Sequence, residues 1–183
     1  MVSWSVLGAL RAVPALERPD LLAGPVAAAL KELDPDAAGR IGVAEIDPDL
    51  ADTAAFCAAY GSAPDTSANC VVVAGKRAGE VRYAACVVLA TTRADVNGAI
   101  KRRLDVRKAS FAPMDDAVGL TGMAYGGITP IGLPEAWPLW LSPGVAASDA
   151  VVIGSGTRAG KLAVSGELLA ALPNAEIVDD LAS

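Results

Sequence analysis

Two Val-rich apolar runs predict the longest strands of the chain. Asn69–Ala74 and Tyr83–Ala90 are almost continuously apolar, a pattern typical of strands buried on both faces. Gly75–Gly79 lies between them and predicts a hairpin turn. Shorter apolar segments predict further strands or extended segments at Ile41–Ile46, Lys108–Phe111, Trp137–Leu141, Ala150–Ile153, Lys161–Val164 and Ala175–Val178.

The clearest helical pattern covers Leu21–Leu33. Leu22, Val26, Leu30 and Leu33 recur there near the 3.6-residue period of a helix. The sequence also predicts helices at Leu7–Leu16, Asp52–Tyr60, Asp95–Leu104, Asp115–Thr121 and Gly166–Leu172, with a turn or helical stub at Pro143–Ser148. Because helices and strands are mixed without strict βαβ alternation, the pattern predicts an α+β fold.

The composition is typical of a single domain, since the chain has 183 residues of which 53% are apolar. No apolar run approaches the length of about 20 residues that a membrane-spanning helix needs. The first residues lack the basic segment of a signal peptide. We therefore expect one domain over residues 1–183 that acts in the cytoplasm without a membrane partner.

The formal net charge of −6 disfavours broad nucleic-acid binding, and DNA is not an expected partner. The charge is nevertheless unevenly distributed. Lys101–Arg103 and Arg107–Lys108 form a basic cluster, which is either a solvated helix face or a contact for a phosphate backbone.

Cysteine and histidine content limits the available chemistry. The three cysteines, Cys57, Cys70 and Cys86, form no CxxC pair and are expected to be buried reduced thiols, and the chain has no histidine. We expect neither a metal site nor a cofactor. The absence of histidine also excludes Ser-His-Asp and Cys-His catalysis, so acid–base chemistry must use carboxylates, lysine, tyrosine, backbone groups or the substrate itself.

Two glycine-rich loops are the candidate functional segments. Tyr125–Gly132 has three glycines and one proline in eight residues, and Gly154–Gly160 follows the apolar run Ala150–Ile153. Glycine permits positive φ and close approach of the backbone to a ligand. The loops are either tight connections between strands or two walls of one pocket. Arg158, in the second loop, is either solvated or pairs with a phosphate or carboxylate.

Together these segments resemble the YbaK/EbsC family, the editing domains associated with prolyl-tRNA synthetase. The resemblance covers residues 52–178, whereas residues 1–50 have no counterpart and are expected to form an N-terminal helical extension that covers the pocket or packs on the outer sheet. The matching segments are Lys108–Ala112, Leu120–Gly122, Gly126–Gly132, Gly154–Gly160 and Ser165–Leu168.

The resemblance implies a fold and an activity. The fold is a curved mixed β-sheet approaching a barrel, with helices packed outside. The activity is substrate-assisted hydrolysis of mischarged aminoacyl-tRNA, usually tRNA for proline carrying alanine or cysteine. By resemblance, Gly126, Gly127 and Asn69 are the catalytic candidates, and the substrate-binding candidates are Ile128, Thr129, Pro130, Ile131, Gly132, Gly154, Ser155, Gly156, Arg158 and Gly160.

The chain departs from the family at one position. Family members carry a lysine at the start of the strand after the first Ala-rich helix, where this chain has Asn69 or Cys70. Asparagine offers a neutral hydrogen bond in place of a cation, and Lys76 is predicted to lie past the strand in the turn. The alternative is therefore a non-catalytic module that binds an aminoacyl or nucleotide-like ligand.

Overall fold

The computed structural model describes residues 4–183 and contains seven helices and nine strands in that range. The strands are β1 (Val13–Pro14), β2 (Gly42–Glu45), β3 (Ala68–Arg77), β4 (Glu80–Leu89), β5 (Ala109–Phe111), β6 (Leu139–Leu141), β7 (Val151–Gly154), β8 (Gly160–Val164) and β9 (Ala175–Ile177). The helices are α1 (Gly24–Glu32), α2 (Pro35–Gly39), α3 (Thr53–Tyr60), α4 (Lys101–Leu104), α5 (Met114–Thr121), α6 (Pro143–Ala146) and α7 (Gly166–Ala170).

The strands form two sheets. Sheet A is antiparallel and has the order β1-β2-β8-β7, and sheet B is mixed with the order β5-β3-β4-β6-β9. The long β3–β4 hairpin dominates sheet B, where β6 and β9 add in parallel. An isolated parallel bridge between Ser67 and Val152 links the two sheets at the start of β3.

The central strands of both sheets are buried on both faces, whereas the edge strands β5 and β9 are partly exposed. In β4, Ala85 and Val87 join the main core together with sheet A and α1, whereas Cys86 and Val88 face a second cluster around α4. A third cluster packs Phe56 and Cys57 of α3 against the outer face of sheet A. The order of layers is therefore α3, sheet A, main core, sheet B and α4, which explains why the strand sequences are continuously apolar.

Several strands and helices agree with the sequence pattern, and the mixed α+β class is confirmed. Both long strands and their hairpin are present, and α3 ends at Gly61 in the left-handed conformation with φ of 70°. The helix predicted at Asp95–Leu104 begins with a π-helical turn over Val96–Ile100. The expected single curved sheet approaching a barrel is not confirmed, because the described strands form two sheets and no closed barrel.

The N-terminal region differs most from the prediction. The helix predicted at Leu7–Leu16 is wrong, because this stretch contains β1 and only short 3-10 turns on either side of it. Val13 pairs with Val43 at the edge of sheet A, and Pro14 lacks the N–H that a helix interior needs. Residues 4–50 thus supply two strands as well as helices, and α1 lies in the main core through Val26 and Leu30.

Candidate functional site

A pocket of about 480 Å³ opens at the point where the N-terminus of α3, the first half of β3 and the first glycine-rich loop meet. Its wall combines small apolar side chains with a few polar groups. It is lined by Ala51, Asp52, Thr53, Ala68, Asn69, Cys70, Val71, Val72, Phe111, Ala112, Ala117, Tyr125, Gly126, Ile128, Gly154 and Lys161. Asn69 from β3, Gly126 and Ile128 from the first loop and Gly154 from the second are thereby brought together.

The two glycine-rich loops are joined by backbone hydrogen bonds. Gly156 N–H donates to Gly127 O at 2.8 Å, and Ala124 N–H donates to Gly156 O at 2.9 Å. A Cβ atom on Gly127 would lie 2.4 Å from Thr157 O, so only glycine permits this approach. The two loops therefore form one hydrogen-bonded backbone unit, and Gly126 of this unit lines the pocket.

The N–H groups of this unit are not equivalent. Gly127 N–H donates to Ala124 O at 2.9 Å and is therefore already engaged. The N–H groups of Gly126 and Ile128 have no hydrogen-bond partner within residues 4–183, and both residues line the pocket. Two residues of the pocket wall thus have backbone donors without a protein partner, and Gly126 is held at φ of +85°, which favours glycine.

Asn69 is oriented by its neighbour on α3. Thr53 Oγ1 donates to Asn69 Oδ1 at 2.7 Å, so the side-chain amide N–H groups of Asn69 remain as donors. Cys70 follows it on β3, and burial raises the pKa of its thiol above the ordinary value, with a further contribution from Cys86. Cys70 is therefore neutral near pH 7, which disfavours a nucleophilic role.

Arg158 holds the first loop in place and does not line the pocket. Its Nε donates to Pro48 O at 3.1 Å, and its Nη1 donates to Tyr125 O at 3.3 Å. The same Nη1 lies 3.7 Å from Asp52 Oδ1. The guanidinium thus connects the segment before α3 to the residue preceding Gly126, and a positioning role follows from these contacts.

The other predicted binding residues lie outside the pocket wall. Gly156 packs its Cα against Ala23 and Val26, and Gly132 packs against the Pro25 backbone, so these glycines fit the loops onto α1. Ile131 belongs to the main core. The catalytic candidate Gly127 and the remaining binding candidates are buried away from the wall; these are Thr129, Pro130, Ser155 and Gly160, the last at the start of β8.

Several wall residues were not identified from the sequence. Phe111 and Tyr125 are 61% and 60% exposed at the pocket, whereas Lys161 is 7% exposed and comes from the middle of sheet A. Burial lowers the pKa of Lys161, and the nearby Asp52 carboxylate opposes that shift. The available signal was a single lysine within the apolar segment Gly160–Val164.

Two of the five side chains in the basic cluster of residues 101–108 are paired with acidic side chains near the C-terminus. Arg102 forms an ion pair with Asp180, and Arg103 forms one with Glu176, each at 2.8 Å. Lys76 lies within β3, where it pairs with Val81, and not past the strand as predicted; it is exposed and is not part of the pocket wall. In the described part of the chain, no helix is long and apolar enough to span a membrane.

Comparison with known proteins identifies relatives of this architecture. The model of the aminoacyl-tRNA editing domain matches residues 47–172. A crystal structure of a protein proposed to be a trans-editing enzyme for prolyl tRNA synthetase matches with a TM-score of 0.71 and 23% identity, covering 87% of this chain and 96% of that one. A structure from computational grafting of linear epitopes onto scaffold proteins matches with a TM-score of 0.71 and 22% identity over the same shares of the two chains. The search of curated proteins found no match.

Proposed function

Because the chain belongs to the aminoacyl-tRNA editing domain family, we propose that it is a hydrolase that deacylates mischarged tRNA in trans. The observation that carries this proposal is the pair of unpartnered N–H groups of Gly126 and Ile128 in a pocket of about 480 Å³. Backbone donors fixed in a pocket are suited to the oxyanion that develops during ester hydrolysis. The volume is within the range of small-ligand sites.

The proposed reaction needs no ionisable base from the protein. Water adds to the ester carbonyl carbon, and the carbonyl electron pair moves onto the oxygen, which accepts hydrogen bonds from Gly126 and Ile128. The tetrahedral intermediate then expels the ribose oxygen. The neighbouring ribose hydroxyl relays the proton of the attacking water to that oxygen, so the products are the free amino acid and a tRNA with its terminal hydroxyls restored.

The pocket wall favours a small aminoacyl side chain. Val72, Ala112 and Ala117 present short apolar groups to it, and burial of apolar area stabilises a bound apolar side chain. Alanine or cysteine attached to tRNA for proline is the proposed substrate class. Support comes from the resemblance of the two glycine-rich loops and from the solved structure proposed to act with prolyl tRNA synthetase.

The terminal adenosine is expected at the mouth of the pocket. Phe111 and Tyr125 are largely exposed there, and exposed aromatic rings stack on bases in single-stranded nucleic acids. In this arrangement the ester enters between the glycine-rich loop and Asn69 while the base stays at the surface.

Deacylation of a panel of aminoacyl-tRNAs tests the proposal. The panel contains tRNA for proline charged with alanine, cysteine or proline, and each is followed with and without protein. We expect faster hydrolysis of the alanyl and cysteinyl esters than of the prolyl ester. Hydrolysis of all three at the spontaneous rate would contradict the proposal.

A second candidate is a binding module that retains the pocket without catalysis. It is favoured by the neutral Asn69, whose Oδ1 is held by Thr53 at the start of β3. A stable alanyl-adenosine analogue with an amide in place of the ester separates the candidates when its binding is measured by calorimetry. Binding of the analogue without hydrolysis of any ester would favour the binding module.

A further inference from the structure

Lys161 is a buried lysine within an otherwise apolar strand. Alternation along β8 directs Leu162 and Val164 into the main core, and it directs Ala163 toward α3 on the opposite face. Lys161 shares that face with Ala163, and its Nζ lies 5.4 Å from the centroid of the Phe56 ring. The aliphatic stem therefore passes beneath α3 while the residue lines the pocket.

The ammonium group has no protein counter-ion. Across residues 4–183, Lys161 Nζ forms neither a hydrogen bond nor an ion pair, and its polar contact is with the Phe56 ring. Asp52 and Cys57 from the α3 region and Arg158 from the second loop are the titratable groups that act on it. Asp52 is directed instead toward Arg158 at 3.7 Å, and its side chain is 77% exposed.

A cation on a largely buried side chain without a protein partner is costly, because desolvation disfavours the charged form. An apolar residue at this position would suit the packing of β8 beneath Phe56. Lys161 is also the only cationic side chain in the pocket wall, all of which lies in the described part of the chain. A group of the bound substrate would supply the partner that the Lys161 ammonium lacks within the protein.

We propose that Lys161 is a catalytic residue of the pocket, whose ammonium contacts the ester carbonyl oxygen and stabilises the negative charge that develops there. This inference rests on the deacylase function proposed above. As water adds to the carbonyl carbon, the electron pair that moves onto the oxygen is held by Lys161 together with the N–H groups of Gly126 and Ile128. Lys161 keeps its proton throughout, and the ribose oxygen leaves with the proton that came from water.

The cation of the pocket wall, Lys161, belongs to β8 of sheet A. The start of β3 on sheet B has only the neutral Asn69 and Cys70. A cation reaching the carbonyl from β8 completes a set of donors with Gly126 and Ile128. Removal of one preorganised donor to an oxyanion typically lowers kcat on the order of 10²- to 10³-fold.

The test compares Lys161→Met with Lys76→Met. Methionine retains an unbranched apolar stem beneath Phe56, and Lys76 is an exposed lysine outside the pocket wall. Single-turnover hydrolysis of alanyl-tRNA for proline is measured for wild type and both variants. We expect the saturating single-turnover rate constant to fall on the order of 10²-fold in Lys161→Met and to stay within about twofold in Lys76→Met, with thermal midpoints showing that both fold.

The pH profile gives a second readout. If the ammonium contacts the substrate, the ratio of catalysed to spontaneous hydrolysis falls as pH rises through the lowered pKa of Lys161. That alkaline decline should be absent from the residual activity of Lys161→Met. Lys161→Arg, which keeps a cation, should retain more activity than Lys161→Met.

The outcomes separate the two proposals. A wild-type protein that hydrolyses the ester, together with a folded Lys161→Met variant of equal rate, would overturn the role of Lys161 and leave the deacylase function intact. A wild-type protein without hydrolysis would overturn both. A selective loss in Lys161→Met that Lys76→Met does not share would support the assignment.

Discussion

Replacing Gly127 by alanine should separate the two glycine-rich loops. The added Cβ would lie 2.4 Å from Thr157 O and 2.7 Å from Thr157 C, about 1 Å short of ordinary van der Waals contact. Both clashing atoms belong to the backbone, so no side-chain rotation relieves them. The loops must move apart, and the pocket donors on Gly126 and Ile128 move with the first loop.

The cost follows from the hydrogen bonds that the separation breaks. Gly156 N–H to Gly127 O and Ala124 N–H to Gly156 O, at 2.8 and 2.9 Å, connect the loops directly. A hydrogen bond typically contributes about 1 kcal/mol net, so losing both lowers the free energy of unfolding by about 2 kcal/mol. For a chain of this length that corresponds to a Tm lower by about 4–8 °C.

Urea unfolding and thermal melts measure the effect, with Gly39→Ala as the matched control. Gly39 ends α2, and a Cβ there meets no atom within 4 Å. We expect the control to be at least as stable as wild type, because alanine favours helices over glycine. A Gly127→Ala protein with wild-type stability and wild-type deacylation would refute the claim that this contact maintains the site.

Three further results are expected. Between the lowered pKa of Lys161 and the ordinary lysine value of 10.5, the unfolded chain binds more protons than the folded one. Wild-type stability in urea should therefore rise with pH across that window, and a rise of equal size in Lys161→Met would contradict this origin. Arg158→Gln should lose about 1 kcal/mol of stability and raise KM because Tyr125 O loses its donor, whereas an unchanged KM would argue against the positioning role. Cys70 in the folded protein should react slowly with iodoacetamide near pH 7, because burial raises the pKa of its thiol, and mass spectrometry showing alkylation as fast as in urea would contradict this.

The strands of the core could be predicted because their sequences reflect burial on both faces. Val71–Val73 and Ala84–Val88 are apolar at every position, since alternate residues of each strand meet different clusters. The N-terminal region could not be predicted in the same way. Its apolar residues pair with strands that are distant in sequence, as Val13 does with Val43. A strand of only two residues is too short to show a helical or an alternating period of apolar positions.

Only part of the candidate site could be predicted from the sequence. Gly126, Ile128 and Asn69 were named and line one pocket. Gly132 and Gly156 instead pack on the α1 region, as the contact of Gly132 with Pro25 shows, and no local pattern reports a contact across about 100 residues. Lys161 was missed for a related reason, because a lysine in a short strand is informative only once the helix that covers it is known.

Single-turnover hydrolysis of alanyl-tRNA for proline by the wild-type protein tests the central claim most directly. The protein is held in excess over the tRNA, and the release of alanine is followed at increasing protein concentrations. We expect first-order release well above the spontaneous rate, with a rate constant that saturates as the pocket fills. A rate constant equal to the spontaneous one at every protein concentration would contradict the claim that this pocket hydrolyses that ester.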